Sequence, residues 1–134
     1  MNSILDAVAR ELPPLERATR LQQEAARVGF DWPDAVSMLE KIREEIDELA
    51  DACVRREGDA VREELGDLLF VLVNLARFEG LGAEDCLARA CEKFEGRFRA
   101  MEEVLRAEGR RMPEQTADAL EALWQDAKRG ERGR

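Results

Sequence analysis

The stretch that decides the fold is LGDLLFVLVNLARF, residues 65–78, which is apolar on nearly every side apart from Asp67 and Asn74. A helix that is apolar all round must be covered all round. A bundle of about five short helices can hardly surround such a helix, so a second copy of the chain is the simplest cover. The pattern therefore predicts an oligomer, either a homodimer or a dimer of dimers.

Prolines and glycines divide the rest of the chain into lengths typical of helices. The predicted helices span residues 15–28, 34–57, 59–79, 83–108 and 116–129. No apolar and polar alternation of period two is sustained, so no strand is predicted. We expect an all-α bundle of about five helices that forms one domain over residues 1–130, followed by a flexible basic tail at 131–134.

In the second predicted helix, an apolar stripe is expected to face the core. The stripe consists of Val36, Leu39, Ile42, Ile46, Leu49 and Cys53. Trp32, beside Pro33 and just before this helix, is also assigned to the core.

The composition excludes several classes of function. With 21 basic and 30 acidic residues the net charge is −9, which disfavours binding to nucleic acid. The absence of histidine excludes Ser-His-Asp and Cys-His nucleophile pairs and helical HExxH zinc sites. Cys53, Cys86 and Cys91 form no CxxC motif and suggest no disulfide framework. No run of 18 apolar residues occurs, so we expect a cytoplasmic protein with no membrane partner.

Carboxylates remain as the abundant reactive groups. Glu45 and Glu48 lie three residues apart on the second predicted helix, and Glu64 and Asp67 have the same spacing on the third. Residues three apart share one helix face, so the two pairs can converge if the helices pack antiparallel across Gly58. Four carboxylates together repel one another unless cations neutralise them. Hard oxygen ligands in this number suit Mg²⁺.

The alternative for Glu45 and Glu48 is a solvated helix face. Asp67 lies between Leu65 and Leu68, where an ionised group is costly unless it is paired or bound to metal. Asn74, seven residues on and close to the same stripe, could orient a ligand or water. A thin solvent-facing stripe on this helix is the competing interpretation.

One cation stands out on the fourth predicted helix. Arg97 lies close to the apolar stripe of Ala90, Phe94 and Met101, an unusual place for a cation unless an anion meets it. The alternative is an arginine that reaches out from the helix edge into solvent.

Three runs resemble a known family. GFDWPDAVSMLEKIREEIDELADA, REELGDLLFVLVNLARFEGL and ARACEKFEGRFRAMEEVL closely resemble the MazG family of all-α nucleoside triphosphate pyrophosphohydrolases. The similarity runs from about residue 15 to residue 128. It is strongest to the second of the two related domains in tandem MazG proteins. The family's metal motif, ExxE on one helix and ExxD on the next, falls on Glu45, Glu48, Glu64 and Asp67.

The resemblance also assigns basic and aromatic residues. The family's KFxxRF segment falls on Lys93 and Arg97, and its Trp-x-x-x-Lys falls on Trp124 and Lys128. It implies that Lys93, Arg97 and Lys128 neutralise phosphates and that Trp124 contacts the base, with Asn74 as a further substrate-binding candidate.

The implied activity is hydrolysis of nucleoside triphosphates to the monophosphate and pyrophosphate by a metal-activated water. The implied cofactor is Mg²⁺, with Mn²⁺ as the alternative. Because the chain has no histidine, Glu45 or Glu48 is expected to act as general base. Three alternatives stay open: a related dUTP, dCTP or phosphoribosyl-ATP pyrophosphohydrolase, a non-catalytic dimeric helical module, and a nucleotide-binding regulator without turnover.

Overall fold

The structure is a computed structural model that describes residues 2–132. It contains the five predicted helices: α1 (Pro14–Arg27), α2 (Ala35–Arg55), α3 (Gly58–Phe78), α4 (Ala83–Ala107) and α5 (Ala117–Arg132). Two short 3-10 helices, Ile4–Ala7 and Met112–Glu114, precede α1 and α5. No strand occurs within residues 2–132. The predicted all-α fold class is confirmed.

Local sequence features set the ends of the helices that carry the carboxylates. The Asp34 side chain accepts a hydrogen bond from the Ser37 backbone N–H at 2.7 Å and so caps the start of α2. Arg56 adopts a left-handed conformation, with φ of 56°, and ends α2. Because α3 begins at Gly58, the chain reverses within two residues and α2 and α3 pack against each other as an antiparallel pair.

The described residues fall into two compact units, the first ending at Cys86 and the second beginning at Leu87. In the first unit α1 packs against α3, which in turn packs against α2. Its buried apolar residues are Val8, Met38, Ile42, Ala52 and Val73. The second unit holds most of α4, the second 3-10 helix and α5, and its buried apolar residues are Met101 and Leu105. A single domain over residues 1–130 stays a prediction.

The core-facing stripe expected on α2 differs from the buried face. Of that stripe Ile42 is buried, while Val36, Leu39 and Ile46 are 40% to 64% exposed. The buried face runs instead through Met38, Ile42, Glu45 and Ala52. The reason is that the apolar surface of α2 is wider than the face buried within the chain, and part of it is left uncovered.

Several large apolar side chains of α3 are also exposed to solvent. Leu65, Leu69, Phe70 and Leu72 are 43% to 57% exposed. Leu65, Leu69 and Leu72 share one face of α3, whereas Phe70 lies on another face and lines a cavity next to α1. Within the first unit, α1 and α2 therefore leave part of the apolar surface of α3 exposed.

Three smaller points differ from expectation or extend it. Trp32 is half-buried beside a cavity and is not a core residue. Helix α5 continues to Arg132, so the first two residues of the predicted flexible tail are helical, while residues 133 and 134 lie outside the described range. Among the described helices, none has the length and apolarity needed to cross a membrane.

Candidate active site

Helices α2 and α3 bring three of the four predicted metal ligands together. One carboxylate oxygen from each of Glu45, Glu48 and Glu64 lies within 4.8 Å of the others. Glu45 is 5% exposed, Glu64 is half-buried and Glu48 is exposed. The cluster therefore has a buried inner side and a side open to solvent.

Asp67 lies outside this cluster. It follows Glu64 by three residues on α3 and so lies on the same side of the helix, but it is exposed. Leu65, which was expected to bury it, is itself 44% exposed. The argument that burial makes an ionised Asp67 costly therefore does not hold for a single chain. Its role as a fourth metal ligand stays a prediction.

The buried carboxylate of the cluster, Glu45, pairs with a partly exposed lysine on the same helix. Lys41 Nζ lies 3.0 Å from Glu45 Oε1, one helical turn away on α2. This ammonium group, together with proton sharing with Glu64, lowers the pKa of Glu45. Glu64 has the opposite shift. Proton sharing with Glu45, loss of solvation and the charge of Glu48 raise the pKa of Glu64 to about 7.

Two oxygens of the cluster lack partners. Within residues 2–132, Glu45 Oε2 and Glu64 Oε2 are buried and accept no hydrogen bond. An ionised carboxylate can only accept, and leaving a buried charged acceptor unsatisfied is costly. Lys41 satisfies one oxygen of Glu45 and leaves three carboxylates with a net excess of negative charge. A hard divalent cation fits this set of oxygen donors.

The second unit holds the other predicted site residues. Arg97 on α4 forms a two-pronged ion pair with Glu131 on α5: Nε lies 2.9 Å from Oε1 and Nη2 lies 3.0 Å from Oε2. The Arg97 guanidinium also stacks over Trp124, 5.3 Å from the ring centroid. The anion expected beside Arg97 is therefore present, and it is a carboxylate of the same chain.

Lys93 and Lys128 belong to the same electrostatic group. Arg97 first, and then Lys93 and Lys128, lower the pKa of Glu131. The three cations that the resemblance assigns to phosphate thus act on one carboxylate. Glu131 was missed from the sequence because it was placed in a tail rather than in a helix.

Asn74 lies apart from the carboxylate cluster. Its Oδ1 accepts a hydrogen bond from Arg77 Nε at 2.8 Å, and Arg77 also pairs with Asp31. Asn74 lines a cavity in the first unit together with Gln22 and Trp32. Nothing in the sequence pattern indicated Gln22 or Asp31, because their partners lie more than 40 residues away in the chain.

Comparison with known proteins settles the family. Residues 34–101 match the MazG nucleotide pyrophosphohydrolase domain. This range contains α2, α3 and all four predicted metal ligands. The chain belongs to the MazG family.

Curated relatives align along most of the chain. It is 43% identical over 132 residues to the nucleoside triphosphate pyrophosphohydrolase of Escherichia coli (strain K12), covering 97% of this chain and 50% of that protein. It is 42% identical over 120 residues to the nucleoside triphosphate pyrophosphohydrolase/pyrophosphatase MazG of Thermotoga maritima, covering 90% and 46%. Uncharacterized protein YabN of Bacillus subtilis is 38% identical over 132 residues, covering 98% and 27%. The chain thus spans half the length of these relatives or less.

Proposed function

We propose that the chain hydrolyses nucleoside triphosphates to nucleoside monophosphates and pyrophosphate. The observation that carries the proposal is the convergence of Glu45, Glu48 and Glu64, two of which have buried oxygens without a partner among the described residues. The printed names of the Escherichia coli and Thermotoga maritima relatives support the same reaction.

Glu45, Glu48 and Glu64, with Asp67 beside them, would hold Mg²⁺. When bound, the ion would offset charge on the phosphates and lower the pKa of a water molecule. Carboxylate ligands with room for waters and phosphates suit Mg²⁺, and Mn²⁺ stays the alternative because it accepts the same oxygen ligands. The choice of base and sugar and the cytoplasmic location stay predictions from the sequence.

The two candidate general bases differ in their surroundings. Glu45 has one oxygen held by Lys41 and the other buried, so a water molecule has little access to it. Glu48 is exposed at the open side of the cluster. We therefore assign metal ligation alone to Glu45 and give Glu48 proton acceptance in addition to metal ligation, because water can reach its exposed carboxylate.

Lys93, Arg97 and Lys128 are proposed to bind phosphate. The support is that all three cations lower the pKa of one carboxylate of the second unit, Glu131. Triphosphate oxygens offer a guanidinium the same two-pronged geometry as that carboxylate.

Separation of the products tests the reaction. The chain is incubated with a panel of nucleoside triphosphates in Mg²⁺ or in EDTA, and the products are resolved by ion-exchange chromatography. We expect monophosphate and pyrophosphate in Mg²⁺ only. Glu64→Gln should abolish turnover, and Glu63→Gln, which changes the exposed neighbour on α3, should not. Release of diphosphate and inorganic phosphate would contradict the proposal.

A second copy of the chain is the proposed partner. Leu65, Leu69 and Leu72 follow one another by four and three residues and so share one face of α3. On α2, Leu39 and Ile46 lie two turns apart and are also exposed. Two α2–α3 pairs that meet through these faces would form a four-helix bundle with a continuous apolar core.

A further inference from the structure

Arg77, close to the end of α3, is a cation that the carboxylate cluster does not use. Its side chain is 14% exposed, and burying a charge to this extent is costly unless it is paired and hydrogen-bonded. Arg77 lies on the wall of a cavity of about 710 Å³ in the first unit, between α1, the segment before α2 and the later half of α3. The partners of its guanidinium therefore indicate what this residue does.

The Arg77 guanidinium has partners on two elements. Its Nε donates to Asn74 Oδ1 at 2.8 Å, one turn earlier on α3, and its Nη2 donates to Asp31 in the segment before α2. The hydrogen bond from Arg77 lowers the pKa of Asp31, so the two side chains are oppositely charged at neutral pH. A guanidinium holds its donors in one rigid plane, so the ion pair with Asp31 also fixes the donor that faces Asn74.

The hydrogen bond from Arg77 determines which end of the Asn74 amide is directed away from the guanidinium. An amide side chain has a carbonyl oxygen that accepts and an NH₂ group that donates. Because a guanidinium only donates, the oxygen of Asn74 faces Arg77 and the NH₂ group points away from it. Asn74 is half-buried and lines the same cavity. Asn74 is therefore oriented to donate a hydrogen bond to a molecule in this cavity.

Arg77 is too far from the carboxylate cluster to act on it directly. It follows Glu64 by thirteen residues on α3, which is about 20 Å along the helix axis, whereas physiological salt screens exposed charges beyond about 8 Å. Asn74 follows Glu64 by ten residues, or about 15 Å, and a nucleoside triphosphate held near Glu64 by its phosphates can extend over that length. A change at Arg77 should therefore alter substrate binding and not the reaction at the phosphates.

We propose that Arg77 is a positioning residue that makes Asn74 donate a hydrogen bond to an acceptor atom of the substrate. Asp31 holds the guanidinium, the guanidinium holds the oxygen of Asn74, and the NH₂ group is left for the substrate. Arg77 itself has no contact with the substrate. The identity of the substrate as a nucleoside triphosphate rests on the function proposed above. Because the amide is oriented before the substrate arrives, less free energy is lost in ordering it on binding.

Substitution of Arg77 should weaken substrate binding and leave the chemical step unchanged. In Arg77→Met the amide of Asn74 loses its fixed orientation, so the KM should rise about two- to tenfold at an unchanged kcat. Arg77→Lys keeps the charge beside Asp31, should give a smaller rise in KM, and serves as the second variant if Arg77→Met does not fold. Arg20→Met removes an exposed ion pair with Glu16 on α1 and is the matched control, whose KM should equal that of the wild type.

Substitutions of Asn74 test the direction of the hydrogen bond and the dependence on Arg77. Asn74→Asp keeps the size of the side chain and an oxygen for Arg77, but an ionised carboxylate cannot donate. Its KM should rise at least as much as that of Asn74→Ala, because a carboxylate oxygen would then face an acceptor of the substrate. Adding Arg77→Met to Asn74→Ala should raise the KM no further, because Arg77 acts on the substrate only through Asn74.

Binding of triphosphates that cannot be cleaved separates the role of Arg77 from the proposed reaction. The α,β-methylene analogues of ATP, GTP, CTP and UTP are titrated calorimetrically in Mg²⁺ into wild type, Arg77→Met and Asn74→Asp. A Kd that rises in both variants, without turnover of the natural triphosphates, would support the role of Arg77 and reject the reaction. Turnover with the KM unchanged in Arg77→Met or in Asn74→Asp, or additive effects in the double variant, would support the reaction and overturn the role of Arg77. Neither binding nor turnover would reject both.

Discussion

At the scale of single residues, Glu64 gives the metal-free protein a predictable pH dependence. Its pKa is about 7 in the folded chain against an ordinary value of 4.5. Between these values the folded state holds more protons than the unfolded state, so the free energy of unfolding falls as pH rises. In EDTA, the Tm should therefore be higher at pH 5 than at pH 8.

Glu64→Gln should flatten this contribution, because the neutral amide does not titrate. Glu63→Gln changes the adjacent exposed carboxylate and should keep the wild-type dependence. Thermal unfolding followed by circular dichroism measures both variants. If the Tm of wild type and the Tm of Glu64→Gln depended on pH in the same way, the pKa of Glu64 would not be raised in the folded chain.

A bound divalent cation should offset the repulsion among the carboxylates of Glu45, Glu48 and Glu64. A ligand that binds the folded state stabilises it by about 2.7 kcal/mol at a hundredfold excess over Kd, so Mg²⁺ should raise the Tm of the wild type. Asp67→Asn should reduce this shift and abolish turnover while the helical spectrum is retained, since Asp67 is exposed and its replacement leaves no buried gap. Asp51→Asn, an exposed position on α2, is the control. Full activity in Asp67→Asn would exclude Asp67 as a metal ligand.

The carboxylate cluster could be predicted from the sequence because its geometry is local. The spacing within a helix and the short link at Gly58 together determine that Glu45, Glu48 and Glu64 converge. The partners of Arg97 and Gln22 could not be predicted in this way. Glu131 lies 34 residues after Arg97, and the Phe70 carbonyl lies 48 residues after Gln22. Periodicity carries no information on contacts over such separations.

At the scale of elements, α5 acts on the cations of α4. Glu131 occupies Arg97 in the way a phosphate would, so it should compete with the substrate. Glu131→Gln should lower the KM for the triphosphate about two- to fivefold, as expected for the loss of a solvent-exposed ion pair that competes with the substrate. Arg97→Ala should instead lower kcat/KM sharply, because a charge contact to the reacting phosphates strengthens in the transition state.

Steady-state kinetics of Glu131→Gln, Arg97→Ala and a control variant test whether Glu131 competes with the substrate for Arg97. Glu121→Gln, an exposed carboxylate on the same helix, is the matched control for Glu131→Gln. A KM that is unchanged or raised in Glu131→Gln, together with a normal helical spectrum, would show that Glu131 supports Arg97 rather than competing with the substrate.

Helix α2 shows what periodicity can and cannot predict at this scale. The heptad-like spacing of its apolar residues correctly indicated an amphipathic helix. It did not distinguish the flank that is buried within the chain, through Met38 and Ala52, from the flank that is exposed, through Val36 and Ile46. Both flanks are apolar, and only the arrangement of neighbouring helices decides which of them one chain covers.

At the scale of the whole molecule, the exposed apolar face of α2 and α3 predicts that the monomer is not the stable species. Sedimentation should show no monomer at micromolar concentration. Leu69 lies within this face and is 57% exposed, so Leu69→Glu should leave the fold of the single chain largely intact. In a symmetric dimer the change occurs twice, and burial of a leucine is worth about 1.5–3 kcal/mol, so dimerisation should weaken at least about a hundredfold.

A substitution outside the exposed face of α3 serves as a control, because it should change neither the association of two chains nor their folding. Val28→Glu, at a 65% exposed residue just after α1, should leave the sedimentation coefficient unchanged. Leu72→Glu, also on the exposed face of α3, should act as Leu69→Glu does, by dissociation or aggregation. A soluble, stable, monomeric wild type would contradict the proposed assembly, and it would require the exposed leucines of α3 to be tolerated in water. A monomeric Leu69→Glu with the wild-type helical spectrum would show that the core formed by residues such as Met38, Ile42 and Val73 holds without the second copy.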